Sequence, residues 1–179
     1  MSYKTLIINF MNQANLSRFV QLFTLSDAEA TQRVSERLTL VLRDPAAYQA
    51  EFGQELAERD IVTGLPAQEL RDVALIDALL SEELVWECDW QDTAAMLIVG
   101  INEILMQQRR THWPSEPARD TVKGPEALDI VQDLLEPTGL ALVFLTLDSD
   151  SYALSVVADA QAEEARQLAK ELGFGVTVY

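Results

Sequence analysis

The sequence is poor in the residues that most often carry chemistry, with one cysteine, Cys88, and one histidine, His112. A lone cysteine forms no internal disulfide, so nothing signals an oxidising compartment. Cys88 also falls in the apolar run Leu84-Val85-Trp86-Glu87-Cys88, where a free thiol packs as a small hydrophobe. The same shortage argues against a zinc site of the usual ligand types, and a Cys-His dyad would need Cys88 to leave its strand. His112 reads as a solvated loop residue. No phosphate-binding glycine loop, dinucleotide-binding turn, Gly-x-Ser-x-Gly elbow, His-Glu-x-x-His or Cys-x-x-Cys occurs. Seven glycines and six prolines are too few for a fibrous or disordered chain. No stretch approaches the ~20 apolar residues of a membrane helix. The opening, Met1-Ser2-Tyr3-Lys4 before Leu6-Ile7-Ile8-Asn9-Phe10-Met11, is too short and too soon polar for a signal peptide. These absences predict a cytoplasmic protein with no membrane association and no cofactor, and they make catalysis the less favoured reading.

Basic residues are also scarce: 13 against 29 acids, a net charge of −16. A phosphate backbone would approach against that field, so nucleic acid is not expected as a ligand. The imbalance is uneven. Residues 1–64 hold 8 acids and 6 bases, net −2, whereas 65–179 hold 21 acids and 7 bases, net −14. An acidic surface of this kind either keeps a protein soluble or recognises a basic partner. The exception is the segment 109–125, where Arg109, Arg110, His112, Trp113, Arg119 and Lys123 make a locally basic, proline-containing loop.

At 179 residues with 49% apolar content, the chain has the length and composition of a single domain with a packed core. Residues 3–60 read as helical. Ser26-x-x-Glu29 has the form of a capping box opening a helix to about Arg43, with Ala30, Val34, Leu38 and Val41 on its inner face. Asp44-Pro45 supplies an N-cap and a first-turn proline for a helix carrying Tyr48, Phe52 and Leu56. After the breaker Thr63-Gly64-Leu65-Pro66, a broadly apolar helix runs from about 66 to 81 and should be largely buried. A short strand at Leu84–Cys88, an apolar helix at about 92–108 and a helix opened by Gly124-Pro125 follow. The last forty residues read as β-β-α-β: Leu140–Leu147, Tyr152–Val157, a helix from about Asp159 to Leu172, and Phe174–Tyr179. The expected fold is α+β, a helical N-terminal half packed on a small, mainly antiparallel sheet of about four strands.

Some residues stand out as candidates for a site. Asp148-Ser149-Asp150-Ser151 crowds oxygens at a hairpin tip, and Asp148 and Asp150 are weak candidates for a metal, although Asp and Ser serve tight turns for structural reasons. Asp77 lies on an otherwise apolar helix and marks either a satisfied buried carboxylate or the rim of a pocket. Asp89 and Asp92 have the spacing of an N-cap and an acid complementing a helix dipole. Trp86, Trp90 and Tyr152 supply apolar area for a core or for a groove, and Trp113 lies in the basic loop.

Ile76-Asp77-Ala78-Leu79, Glu87-Cys88-Asp89-Trp90-Gln91 and Leu147-Asp148-Ser149-Asp150-Ser151-Tyr152, with the closing helix that ends at Leu172-Gly173, together resemble an uncharacterised bacterial domain family of unknown function. Its members carry an Asp-Trp-Lys-Glu-like segment and a Ser-Asp-Ser-Tyr hairpin. Here the segment reads Asp89-Trp90-Gln91-Asp92, which departs at the lysine position. The likeness spans about residues 70–179 and implies no activity. Three functions follow from the residues. The first is a non-enzymatic acidic module that binds a basic protein, as immunity proteins and nuclease inhibitors do. The second is a homo-oligomeric regulatory or assembly subunit, a homodimer through an edge strand or the helix at 92–108. The third is a metal-assisted enzyme or small-ligand binder using Asp148 and Asp150.

Overall fold

The computed structural model describes residues 3–61, 64–111, 121–146 and 151–179, with side chains from residue 12 onward. Among them are seven α-helices: α1 (Tyr3–Thr24), α2 (Ala28–Arg43), α3 (Pro45–Glu58), α4 (Ala67–Leu80), α5 (Ala94–Gln107), α6 (Pro125–Leu135) and α7 (Ala162–Leu172). Four strands, β1 (Trp86–Asp89), β2 (Leu140–Leu145), β3 (Ser151–Ala158) and β4 (Val176–Val178), form one sheet in the order β1-β3-β2-β4, with every neighbouring pair antiparallel. The fold is α+β, as the alternation and capping signals indicate.

Local chemistry accounts for most of the element boundaries. The inner stripe of α2 is buried at Ala30, Val34, Leu38 and Val41. Its cap is Asp27 rather than Ser26: Leu25 and Ser26 take left-handed backbone angles (φ 51° and 64°) in the turn out of α1. The carboxylate of Asp27 then accepts the Ala30 N–H at 3.0 Å. Asp44 caps α3 in the expected manner, accepting from Ala47 N at 3.0 Å ahead of Pro45. The expected start of α5 moves inward. Asp92 Oδ2 accepts the Asp89 N–H at 2.9 Å and Asp89 Oδ1 accepts the Gln91 N–H at 2.8 Å, so these two carboxylates close a turn. Thr93 caps the helix instead. At the other end of the chain, residues 159–161 form a 3-10 turn before α7, and Gly173, at φ 79°, closes that helix in the left-handed region open to glycine.

The sheet has helices on both faces, because alternate side chains along its strands enter two separate cores. Val143, Leu145, Ala153 and Val157 face the core that holds the buried side chains of α1, α2, α4 and α7. Leu140, Leu142, Leu154 and Val156 face a second core with α5 and α6, and Cys88 joins them from β1. Buried polar groups tie the layers together. Gln108 Nε2 donates to Phe23 O and Val156 O at 3.0 Å each, and Ser155 Oγ donates to Leu84 O at 2.6 Å.

One surface pair staples the ends of the chain. Arg18 on α1 holds Glu164 on α7 through two bonds of 2.7 Å. The Arg18 hydrogen bond, with its charge, keeps the Glu164 carboxyl below its ordinary value of 4.5. A depressed folded value stabilises the fold above the unfolded value and is lost as the pH falls through the folded one. Both side chains are about two-fifths exposed, so the contribution is within ~1 kcal/mol. In thermal melts, Glu164→Gln is expected to lie slightly below wild type at neutral pH, with the two curves converging once the pH drops well below 4.5.

Candidate functional site

Asp77 sits at the centre of a half-buried charge network between α2, α3, α4 and β1. Burial in the apolar face of α4 leaves its side chain 6% exposed, with Arg59 Nη1 at 2.8 Å and Arg37 Nη2 at 3.6 Å. Arg59 also pairs with Glu87 on β1, and Arg37 with Glu55 at 3.0 Å. The Arg37 guanidinium lies 4.1 Å from the Phe52 ring centroid and donates from Nε to the Tyr48 hydroxyl at 3.1 Å. Neither Asp77 oxygen makes an aligned hydrogen bond, so the carboxylate is held by charge alone. Burial pushes its pKa above the ordinary value, against Arg59 and Arg37, which pull it down. Two guanidinium groups this close oppose a cation at Asp77, so the network works as a latch joining helices and sheet. A second buried carboxylate on α4, Asp72, fastens β4: its Oδ1 accepts the Gly175 N–H at 2.6 Å. Asp72 shows in the sequence the same signal as Asp77, an acid inside an apolar helix, and its partner Gly175 lies too far along the chain for the sequence to place it.

Trp86, Trp90 and Tyr152 have different surroundings. Trp86 lies directly against Gly100 of α5, so close that a Cβ there would enter the indole ring. Tyr152 packs edge-on against Phe144, with centroids 6.0 Å apart, and Phe144 stacks on Tyr179. Trp90 is carried outward by the Asp89-Asp92 turn and is 49% exposed. Asp148, Asp150, Trp113 and His112 lie outside the described residues. Among the described residues, no three Cys, His, Asp or Glu side chains are placed to hold a metal. Burial, with nearby Asp92, pushes the Cys88 thiol up to about 12, so it is not a nucleophile at neutral pH.

The helix that follows Trp90 presents a second face. α5 is apolar on nearly every side, a composition that normally marks a helix buried all round. Here Leu97, Ile98, Ile101, Ile104 and Leu105 enter the core, while Met96, Val99 and Met106 remain 49%, 47% and 55% exposed. Spacings of three and seven place these three on one stripe of the helix about 15 Å long, with exposed Glu103 between Val99 and Met106. Besides Glu103, exposed Asp89 lies at the turn before α5, whereas the exposed bases Arg109, just past the end of α5, and Lys123, bridged to Thr93, lie at its two ends, and Asp129 on α6 turns away to the Tyr179 hydroxyl.

A family model for a domain of unknown function, DUF6630, matches residues 15–179. The chain belongs to that family. The match reaches well beyond the 70–179 stretch that carries the sequence likeness, so the family unit takes in α1 from Asn15 onward, and α2 and α3, together with the sheet. The DUF6630 unit therefore includes both sides of the Asp77 latch and the whole of α5. Neither a curated protein nor a solved structure matches the chain. Among the described residues, no helix is long and apolar enough to cross a membrane.

Proposed function

We propose that this DUF6630 domain is a non-enzymatic interaction module that docks a basic protein segment on the outer face of α5. The observation that carries the reading is the exposed stripe of Met96, Val99 and Met106, with Trp90 in the turn before it and the exposed acids Glu103 and Asp89 beside them, in a chain of net charge −16. Large apolar side chains left exposed in one stripe are the usual make-up of an interaction patch. Methionine suits an adaptable contact surface and tryptophan an anchoring one. Such a patch is filled best by a segment with apolar side chains on one face and lysine or arginine at its margins, since opposite charge speeds encounter and fixes orientation. A second copy of the chain fits less well. It would set Glu103 against its own kind, with both partners at net −16. The buried, unreactive Cys88 is in keeping with a reducing cytoplasm, where we place the module.

A low-salt pull-down from native lysate tests the reading. Wild type is expected to retain a basic protein that leaves as salt is raised, and the double variant Met96→Glu, Val99→Glu is expected to retain at least about tenfold less. Equal retention by the variant removes the α5 face from the account. A salt-resistant dimer of the purified protein in sedimentation, lost in the same variant, establishes self-association in its place.

A further inference from the structure

A second surface, far in character from the acidic one, lies between α1, α2, α4 and α7. A cleft of about 560 Å³ opens there, with Asn12, Thr39, Arg43 and Arg71 among its polar walls and Leu16 and Leu42 among its apolar ones. Acids outnumber bases 29 to 13 in this chain, and five of its ten arginines, Arg18, Arg33, Arg37, Arg59 and Arg166, each lie within 4.0 Å of a carboxylate. Among the described residues, Arg43 and Arg71 in the cleft wall have no such partner, as is also true of Arg109 and Arg110 at the end of α5. The Arg71 Nε–H, like that of Arg110 outside the cleft, is fully buried and reaches no acceptor. A buried donor left empty is rare, and an arginine fork is shaped for two oxygens of a carboxylate or phosphate. The one carboxylate in the cleft wall, Glu171, accepts instead from Asn15 at 3.0 Å and Gln167 at 3.3 Å. Six of the nine cleft-lining residues belong to the part of the chain with little net charge, residues 1–64.

We infer that this cleft binds the oxyanion group of a small molecule, with Arg71 and Arg43 as its two cationic contacts and Asn12 and Thr39 as neutral hydrogen-bonding partners. The apolar wall at Leu16 and Leu42 takes the carbon portion of the ligand. Phosphate esters and carboxylates share the required chemistry, and the test separates them.

Inorganic phosphate and citrate are titrated separately into the full chain at low and constant ionic strength, with sodium chloride as the control, and followed by calorimetry and thermal shift. One of the two is expected to bind saturably and raise the melting temperature where chloride does not. The tighter ligand identifies the class. Arg43→Gln and Arg71→Gln are each expected to weaken binding about tenfold, the loss that goes with one charge-assisted contact. Arg43 is exposed at the end of α2, so Arg43→Gln and the charge reversal Arg43→Glu carry the test even if Arg71→Gln does not fold. No saturable binding of either anion, or binding unchanged by Arg43→Glu, overturns the inference.

Discussion

Asp77→Ala is expected to lower the free energy of unfolding by about 3–5 kcal/mol, the usual cost of removing one partner from a buried ion pair. The size follows from what remains. Arg37, 11% exposed, and Arg59, 26% exposed, would face each other across the cavity left by the carboxylate, with only the more exposed Glu55 and Glu87 to balance them. Asp77→Asn fills the same space and imitates the protonated acid, which burial already favours, so it is expected to cost less than alanine. The pH dependence checks the cause. A carboxyl whose folded pKa is raised contributes stability that is complete below its unfolded value, about 3.9, and lost as the pH rises through the folded value. The cost of Asp77→Asn, measured by denaturant unfolding, is therefore expected to be larger near about pH 3 than near about pH 7. The opposite slope would mean that the two arginines outweigh burial at this site.

The second large effect is at Gly100, where alanine is expected to destabilise the protein by about 1–3 kcal/mol or more, as overpacking a filled core does. The added Cβ meets Cγ and both Cδ atoms of Trp86, the base of a ring anchored in β1, so neither α5 nor the strand yields without separating the two elements. Gly53 supplies the control. It is also inside a helix, α3, but a Cβ there has nothing within 4 Å. Gly53→Ala is accordingly expected to stabilise by about 0.5–1 kcal/mol, because alanine loses less backbone freedom on folding. The same substitution at two helical glycines thus carries opposite signs, and parallel melts of the two variants measure the difference directly.

These two sites also mark where the sequence is legible. The α2 stripe, the Asp44-Pro45 start and the β2–β3 pair were readable because each depends on neighbours within one turn or one hairpin. The Asp89-Asp92 spacing was misleading, since a tight turn and a helix cap use the same side chains at the same interval. The partners of Asp77 were out of reach, because Arg37 lies forty residues away in sequence, and only the packing of α2 on α4 brings it near. Asp72, which fastens Gly175 a hundred residues on, was hidden in the same way. The open face of α5 was obscured for a different reason. A helix apolar all round has no weak side in its sequence, so periodicity cannot say which stripe the fold leaves uncovered.

Oxidative footprinting of Met96 and Met106 tests that open face most directly, because methionine converts to its sulfoxide at a rate set by exposure. Both are expected to be oxidised readily in the purified, dilute protein, to be protected in a low-salt complex with the proposed basic partner, and to become reactive again as salt is raised. Slow oxidation of both in the dilute protein, or equal rates with and without the partner, would contradict docking at this face.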